Sequence, residues 1–354
     1  MMRTSKSRAV VTRLRVTIIV LLLVATAFRF YELPRLPPGL NFDEAGNGVA
    51  ALDILNGSPR LWWRIGGGKE PVWPYSVAVS SLTLGRIPLA IRLPAALIGI
   101  LTVAAVYPLL RRMFWGRLGV SVALFTMAGV AVSGWHLHFS RLGFRAVLLP
   151  LFSTLAFYFF WRGWTESKDN RTSPGPAGRW NDLISSGFLV LAIYSYLAAR
   201  LLPLVIVGFV LLVWLAGRSA PSRSERRFLT RLLVFWLVGL LPLIGYFIIY
   251  PADFVARSAT VSIFNPVWNE GDLVGTAGRT LMLSLGTYLG RAGDSNPLVN
   301  LPGQPALSLL PALFFLVGLS LSLVRAGRWM ATGKQPAAAS LFLLLWWGVM
   351  LLPA

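Results

Sequence analysis

"GRIPLAIRLPAALIGILTVAAVYPLLRRMFWGR", residues 85–117, decides the class of this chain. Its centre, 90–110, is apolar for about 20 residues, the length a helix needs to cross a bilayer. It then stops at a basic cluster. Eight further apolar stretches follow the same plan, near 16–30, 118–135, 146–161, 183–198, 201–217, 232–250, 309–324 and 338–354. The expected fold is therefore all-α: a polytopic integral membrane protein of about nine transmembrane helices, with one transmembrane domain over 1–354 and no separate soluble domain. The last stretch, "LFLLLWWGVMLLPA", has no polar flank and reads as a span cut short. A soluble fold could not bury a chain that is 56% hydrophobic with 14 Trp and 21 Phe.

The formal charge of +20 would suit a nucleic-acid partner, but its distribution points to topology instead. Five connectors ("MMRTSKSRAVVTRLR", "RRMFWGR", "RGWTESKDNRTSPGPAGRW", "GRSAPSRSERRFLTR" and "RAGRWMATGK") hold 20 of the 33 Lys and Arg. Basic connectors stay in the cytoplasm. The N-terminus is thus expected inside, and the long connectors 31–88 and 251–308 are expected outside. The same parity makes "EPVWPYSVAVSSLTLG", 70–85, an interfacial or partly inserted helix rather than a span. A basic start before Ala25-Thr26-Ala27 also fits a cleaved signal peptide, which would leave residue 43 outside all the same. With no cysteine, disulfides and thiolate metal sites are excluded.

"NFDEAGNGVAALDILNG", 41–57, opens the first outer connector with adjacent acids. Asn41 followed by Glu44 spells a capping box. Ala45, Val49 and Leu52 share a face, and Asn56-Gly57 ends the helix before Pro59. The acids have two readings: they complement the helix dipole, or one is a general base at the water–membrane boundary.

Five stretches carry a resemblance: "FDEA"; "GGKEPVWPY"; the opening segment 85–117; "HFSRLGFRAVLLPLF"; and "GDSNPLVNLPGQPAL". Together, over about 16–325, the chain resembles bacterial GT-C-type glycosyltransferases related to protein O-mannosyltransferases and aminoarabinose transferases, which use polyprenyl-phosphate-linked sugars. The resemblance implies inverting transfer to an acceptor hydroxyl on the outer face of the bacterial inner membrane. It maps the catalytic acid to Asp43, with Glu44 assisting or holding the helix start. Lys69 in "KEP" resembles a lysine that contacts the lipid phosphate, where a cation stabilises the departing charge; its bland role is a lysine snorkelling at the membrane edge.

Arg141 and Arg145 point to the same boundary. They bind the phosphate or the sugar, or they are counter-ions to Glu70 or Asp43. Glu70, His138, Arg257, Asp294 and Asn300 are assigned to substrate. Metal-dependent relatives place a further carboxylate in the second outer loop, and 135–145 has none, so a metal-independent reaction without cofactor is expected. His136 and His138, two apart, do not share a helix face, and hydrogen bonding is their expected role. The rival readings are a lipid or solute transporter and a noncatalytic lipid-binding scaffold. A transporter places ionisable groups at mid-bilayer depth, often in paired repeats, whereas here charges gather at span ends.

Overall fold

The computed structural model describes residues 2–168, 180–217, 221–288, 304–332 and 338–352, and among them helices are the only extended regular structure. They run in the order α1 (Met2–Phe30), α2 (Phe42–Leu55), α3 (Val72–Leu84), α4 (Pro88–Met113), α5 (Gly116–Val132), α6 (Gly134–Arg141), α7 (Leu148–Lys168), α8 (Asn181–Ile193), α9 (Leu202–Gly217), α10 (Arg223–Ile249), α11 (Pro251–Val261), α12 (Pro266–Asn269), α13 (Leu273–Tyr288), α14 (Leu309–Thr332) and α15 (Ala338–Met350). Among the described residues, each apolar stretch falls at least in part on a helix.

Six of these helical segments are long and apolar enough to cross a membrane, and the bent pair α5–α6 makes seven if it counts as one span. The expected nine is not reached by length, because α8 and α15 have only 13 residues each. The 70–85 segment forms α3, also 13 residues, or roughly 20 Å at 1.5 Å per residue, which is short of the hydrocarbon thickness.

The largest core lies where α7 meets α8, α9, α10 and α15. Phe157, Phe160, Trp161 and Trp164 of α7 pack on Phe209, Phe228 and Phe342, with the Phe157 and Phe342 rings edge to face at 4.9 Å. In lipid, burying apolar area drives helices together only weakly, so such interlocking contacts carry the association. A smaller core (Ala51, Trp73, Val77, Ile91, Ala95, Val147 and Leu148) seats α2 and α3 on the N-terminal ends of α4 and α7.

The bend of 55° between α5 and α6 has a local cause. Ser133 leaves helical geometry and caps α6, while fully buried Arg29 of α1 donates to the carbonyls of Val130 and Ala131 at the end of α5, 3.3 and 3.2 Å away. Arg29 also donates to His136 Nδ1 at 2.7 Å. His136 is therefore a hydrogen-bonding residue of this joint.

Candidate active site

The site is built around α2. Its capping box forms as the spacing predicts: Asn41 Oδ1 accepts from the Glu44 amide at 2.9 Å, and Glu44 Oε2 accepts from the Asn41 amide at 3.1 Å. Asn56 and Gly57 (φ +83°) close the helix. Ala45 and Val49 are exposed, Val49 to 52%, while Glu44, Asn47, Ala50 and Ala51 are buried against the protein.

The two acids diverge because they occupy different faces of one helical turn. Asp43 has a half-exposed side chain. Glu44 is fully buried and accepts from Arg92 Nε at 2.9 Å, Arg92 Nη2 at 3.3 Å and the Gly143 amide at 3.0 Å. Arg92, itself fully buried in α4, also donates to the carbonyls of Leu33, Pro37 and Gly39. This bidentate pair clamps the start of the connector between α1 and α4 to α4, so Glu44 holds the helix start.

Lys69 reaches the same turn from a tight hairpin. Trp63 and Lys69 exchange backbone hydrogen bonds at 3.1 and 2.8 Å. The reversal between them uses Gly66, Gly67 and Gly68 at φ +63°, +82° and +117°, a region that side chains disfavour. A Cβ on Gly68 would also stand 2.3 Å from Trp62 Cζ2. "IGGGK" is thus the device that presents Lys69. The Lys69 ammonium is buried, 2.8 Å from Asn47 Oδ1, 3.4 Å from the Asp43 carbonyl and 3.9 Å from Asp43 Oδ1.

Gly143, at the tip of the second outer connector, is held at both ends of its backbone. Its amide donates to Glu44, and its carbonyl accepts from Asn47 Nδ2 at 2.7 Å. A Cβ here would lie 2.3 Å from Ile91 Cγ2 and 3.3 Å from Glu44 Cγ. Gly143→Ala should therefore destabilise the protein by about 1–3 kcal/mol through overpacking, read as a lower thermal midpoint in detergent; an unchanged midpoint would show that the contact yields freely.

The turn at Gly143 also separates the two arginines. Arg141 donates to the carbonyls of Phe28, Arg29 and Leu36, closing the end of α1. Arg145 pairs with buried Glu70, donates to the Gly68 carbonyl at 2.9 Å and lies over the Tyr196 ring. Of the readings left open by sequence, the structure gives Arg145 the counter-ion role to Glu70 and Arg141 a helix-end role. The two arginines do not share a helix face, because the chain leaves helical geometry at Leu142. Glu70 is buried and paired with Arg145.

His138 sits on α6, edge-on to Phe139. Arg257 falls within α11, but its side chain lies outside the described residues, as do Asp294 and Asn300 altogether. Sequence reasoning missed Asn47, Arg92 and a latch 189 positions long: Arg64 donates to both Asp253 carboxylate oxygens at 3.1 Å, and Tyr246 donates to the same group at 2.7 Å. The hydrogen bond to Asp253 raises the Arg64 pKa above its already high value. This contact docks the first outer connector on α11. An arginine inside an apolar helix was the available signal for Arg92; nothing local announces the partner of Arg64.

No protein-family model and no curated protein matches the chain. Solved structures do match, and at 16% identity they show a shared fold. One is the archaeal oligosaccharyltransferase AglB from Archaeoglobus fulgidus in complex with an inhibitory peptide and a dolichol-phosphate, with TM-score 0.64 and 16% identity over 96% of this chain. The apo form of an A. fulgidus oligosaccharyltransferase gives TM-score 0.62 and 16% identity over 94% of this chain. A complex with Zn and sulfate gives 0.58 and 16% over 95%. The chain spans just under half of these neighbours, 47%, 46% and 48% of their lengths in turn.

Proposed function

We propose that this chain is an inverting glycosyltransferase that moves a sugar from a polyprenyl-phosphate-linked donor to an acceptor hydroxyl or amine on the outer face of the membrane. The observation that carries this reading is a half-exposed carboxylate, Asp43, held 3.9 Å from the buried ammonium of Lys69. Asp43 takes the acceptor proton as the acceptor atom bonds to the anomeric carbon. The bond from that carbon to the phosphate oxygen breaks, and polyprenyl phosphate leaves with its electron pair, its charge met by Lys69.

The partners of the archaeal neighbour, a dolichol-phosphate and an inhibitory peptide, support a polyprenyl-phosphate donor and are compatible with a protein acceptor. The reaction is proposed to be metal-independent. The reading rests on the lack of a carboxylate in 135–145, where metal-dependent relatives place one. Turnover should survive EDTA; loss of turnover restored by a divalent cation would refute that part.

The absence of native cysteine makes orientation testable. Phe42 and Trp115 are 77% and 83% exposed, on connectors at opposite ends of α4. Phe42→Cys should react with a membrane-impermeant maleimide added outside intact cells, and Trp115→Cys should react only after permeabilisation. The reverse pattern would put Asp43 in the wrong compartment for this reaction.

A further inference from the structure

We propose that Asn47 is a positioning residue for Lys69, presetting the ammonium for a lipid phosphate; this rests on the donor reading above. Asn47 is 2% exposed and both ends of its amide are used: Oδ1 accepts from Lys69 Nζ at 2.8 Å and Nδ2 donates to the Gly143 carbonyl at 2.7 Å. The amide cannot be turned round, because an ammonium only donates and a carbonyl only accepts. Lys69 thereby takes its position from both outer connectors at once.

The neutrality of Asn47 matters as much as its reach. An amide oxygen fixes an ammonium without cancelling its charge, whereas a carboxylate at the same place would form a close ion pair. The existing carboxylate, Asp43, stands back at 3.9 Å. The helix wall is trimmed at the same spot, since a Cβ on Gly46 would lie 3.2 Å from Lys69 Nζ. Asp43, Gly46 and Asn47, spaced i, i+3 and i+4 on α2, thus form a seat that holds the cation. The isosteric change Asn47→Asp converts that seat into a competitor for the phosphate.

The test measures binding of a sugar-free polyprenyl monophosphate to the full chain in nanodiscs, with thermal midpoints recorded in parallel. Lys69→Ala and Asn47→Asp should each weaken binding about tenfold, the worth of one contact to a charged group. Because Asn47 acts through Lys69, Asn47→Asp should add nothing in the Lys69→Ala background, whereas independent effects would multiply. If the aspartate variant fails to fold, Asn47→Ser, too short to hold the ammonium, should weaken binding in the same non-additive way. Unchanged affinity in a folded Asn47 variant, or additive losses, would overturn the positioning role while leaving Lys69 in place. No binding to the wild type, or none of the expected loss in Lys69→Ala, would instead remove the lipid-phosphate reading itself and this inference with it.

Discussion

Asp43→Asn should lower sugar transfer from a polyprenyl phosphate donor by about 10²- to 10⁴-fold, the usual contribution of a positioned general base, with the thermal midpoint unchanged. The two halves of this expectation have separate grounds. The rate falls because an amide cannot accept the acceptor proton. Stability holds because the Asp43 side chain is half exposed and supports no cap: Asn41 and Glu44 satisfy the first amides of α2. Lys69 also keeps its tether to Asn47. Purified protein in liposomes, assayed with labelled donor beside a melting curve, gives both numbers. Undiminished turnover would remove Asp43 as the base.

One residue along the chain the phenotype should invert. Glu44→Ala or Arg92→Ala should destabilise the protein by about 3–5 kcal/mol, because either change leaves an uncompensated charge in a buried site. Glu44 has more to lose than a single pair, since its carboxylate also holds the Gly143 amide and both nitrogen groups of Asn41. Arg92 gathers three carbonyls of the connector before α2. Replacing both residues together with apolar side chains of similar volume should cost much less than either single change, because the desolvation penalty of the pair disappears along with its attraction. Unfolding in mixed micelles measures this. Single variants as stable as the wild type would show that the pair is not the clamp described.

How much of this was legible in the sequence follows from the range of each interaction. The capping box was readable because Asn41 and Glu44 lie three apart and each side chain accepts from the other's backbone amide. Helical stretches were readable because hydrophobicity marks them directly. Their crossing was less so: α8 is as apolar as the rest, yet stops at 13 residues, and composition does not fix where a helix ends.

The orientation of α2 has a clearer cause. In a soluble protein the stripe Ala45–Val49–Leu52 would point to the core, but beside a bilayer an apolar stripe has two apolar environments to choose from. Here the buried edge is the one carrying Glu44 and Asn47, whose polar groups need partners that lipid does not supply. Those partners, Arg92, Lys69 and Gly143, stand 48, 22 and 96 positions away, beyond the reach of any local pattern. Arg141 and Arg145 illustrate the same limit. Their spacing fits a shared helix face, and the turn at Gly143, fixed by contacts to a distant helix, gives them different duties.

The most direct measurement of the central claim is a lipid balance. Purified wild-type protein is placed in liposomes holding both monophosphate- and diphosphate-linked polyprenyl sugars, with hydroxyl-bearing acceptors on the side that carries residue 43. The lipids are then followed by mass spectrometry. The account predicts that polyprenyl-monophosphate sugar disappears as polyprenyl monophosphate and glycosylated acceptor appear in equal amounts. A lipid pool left unchanged by the wild type, or consumption of the diphosphate-linked lipid alone, would contradict it.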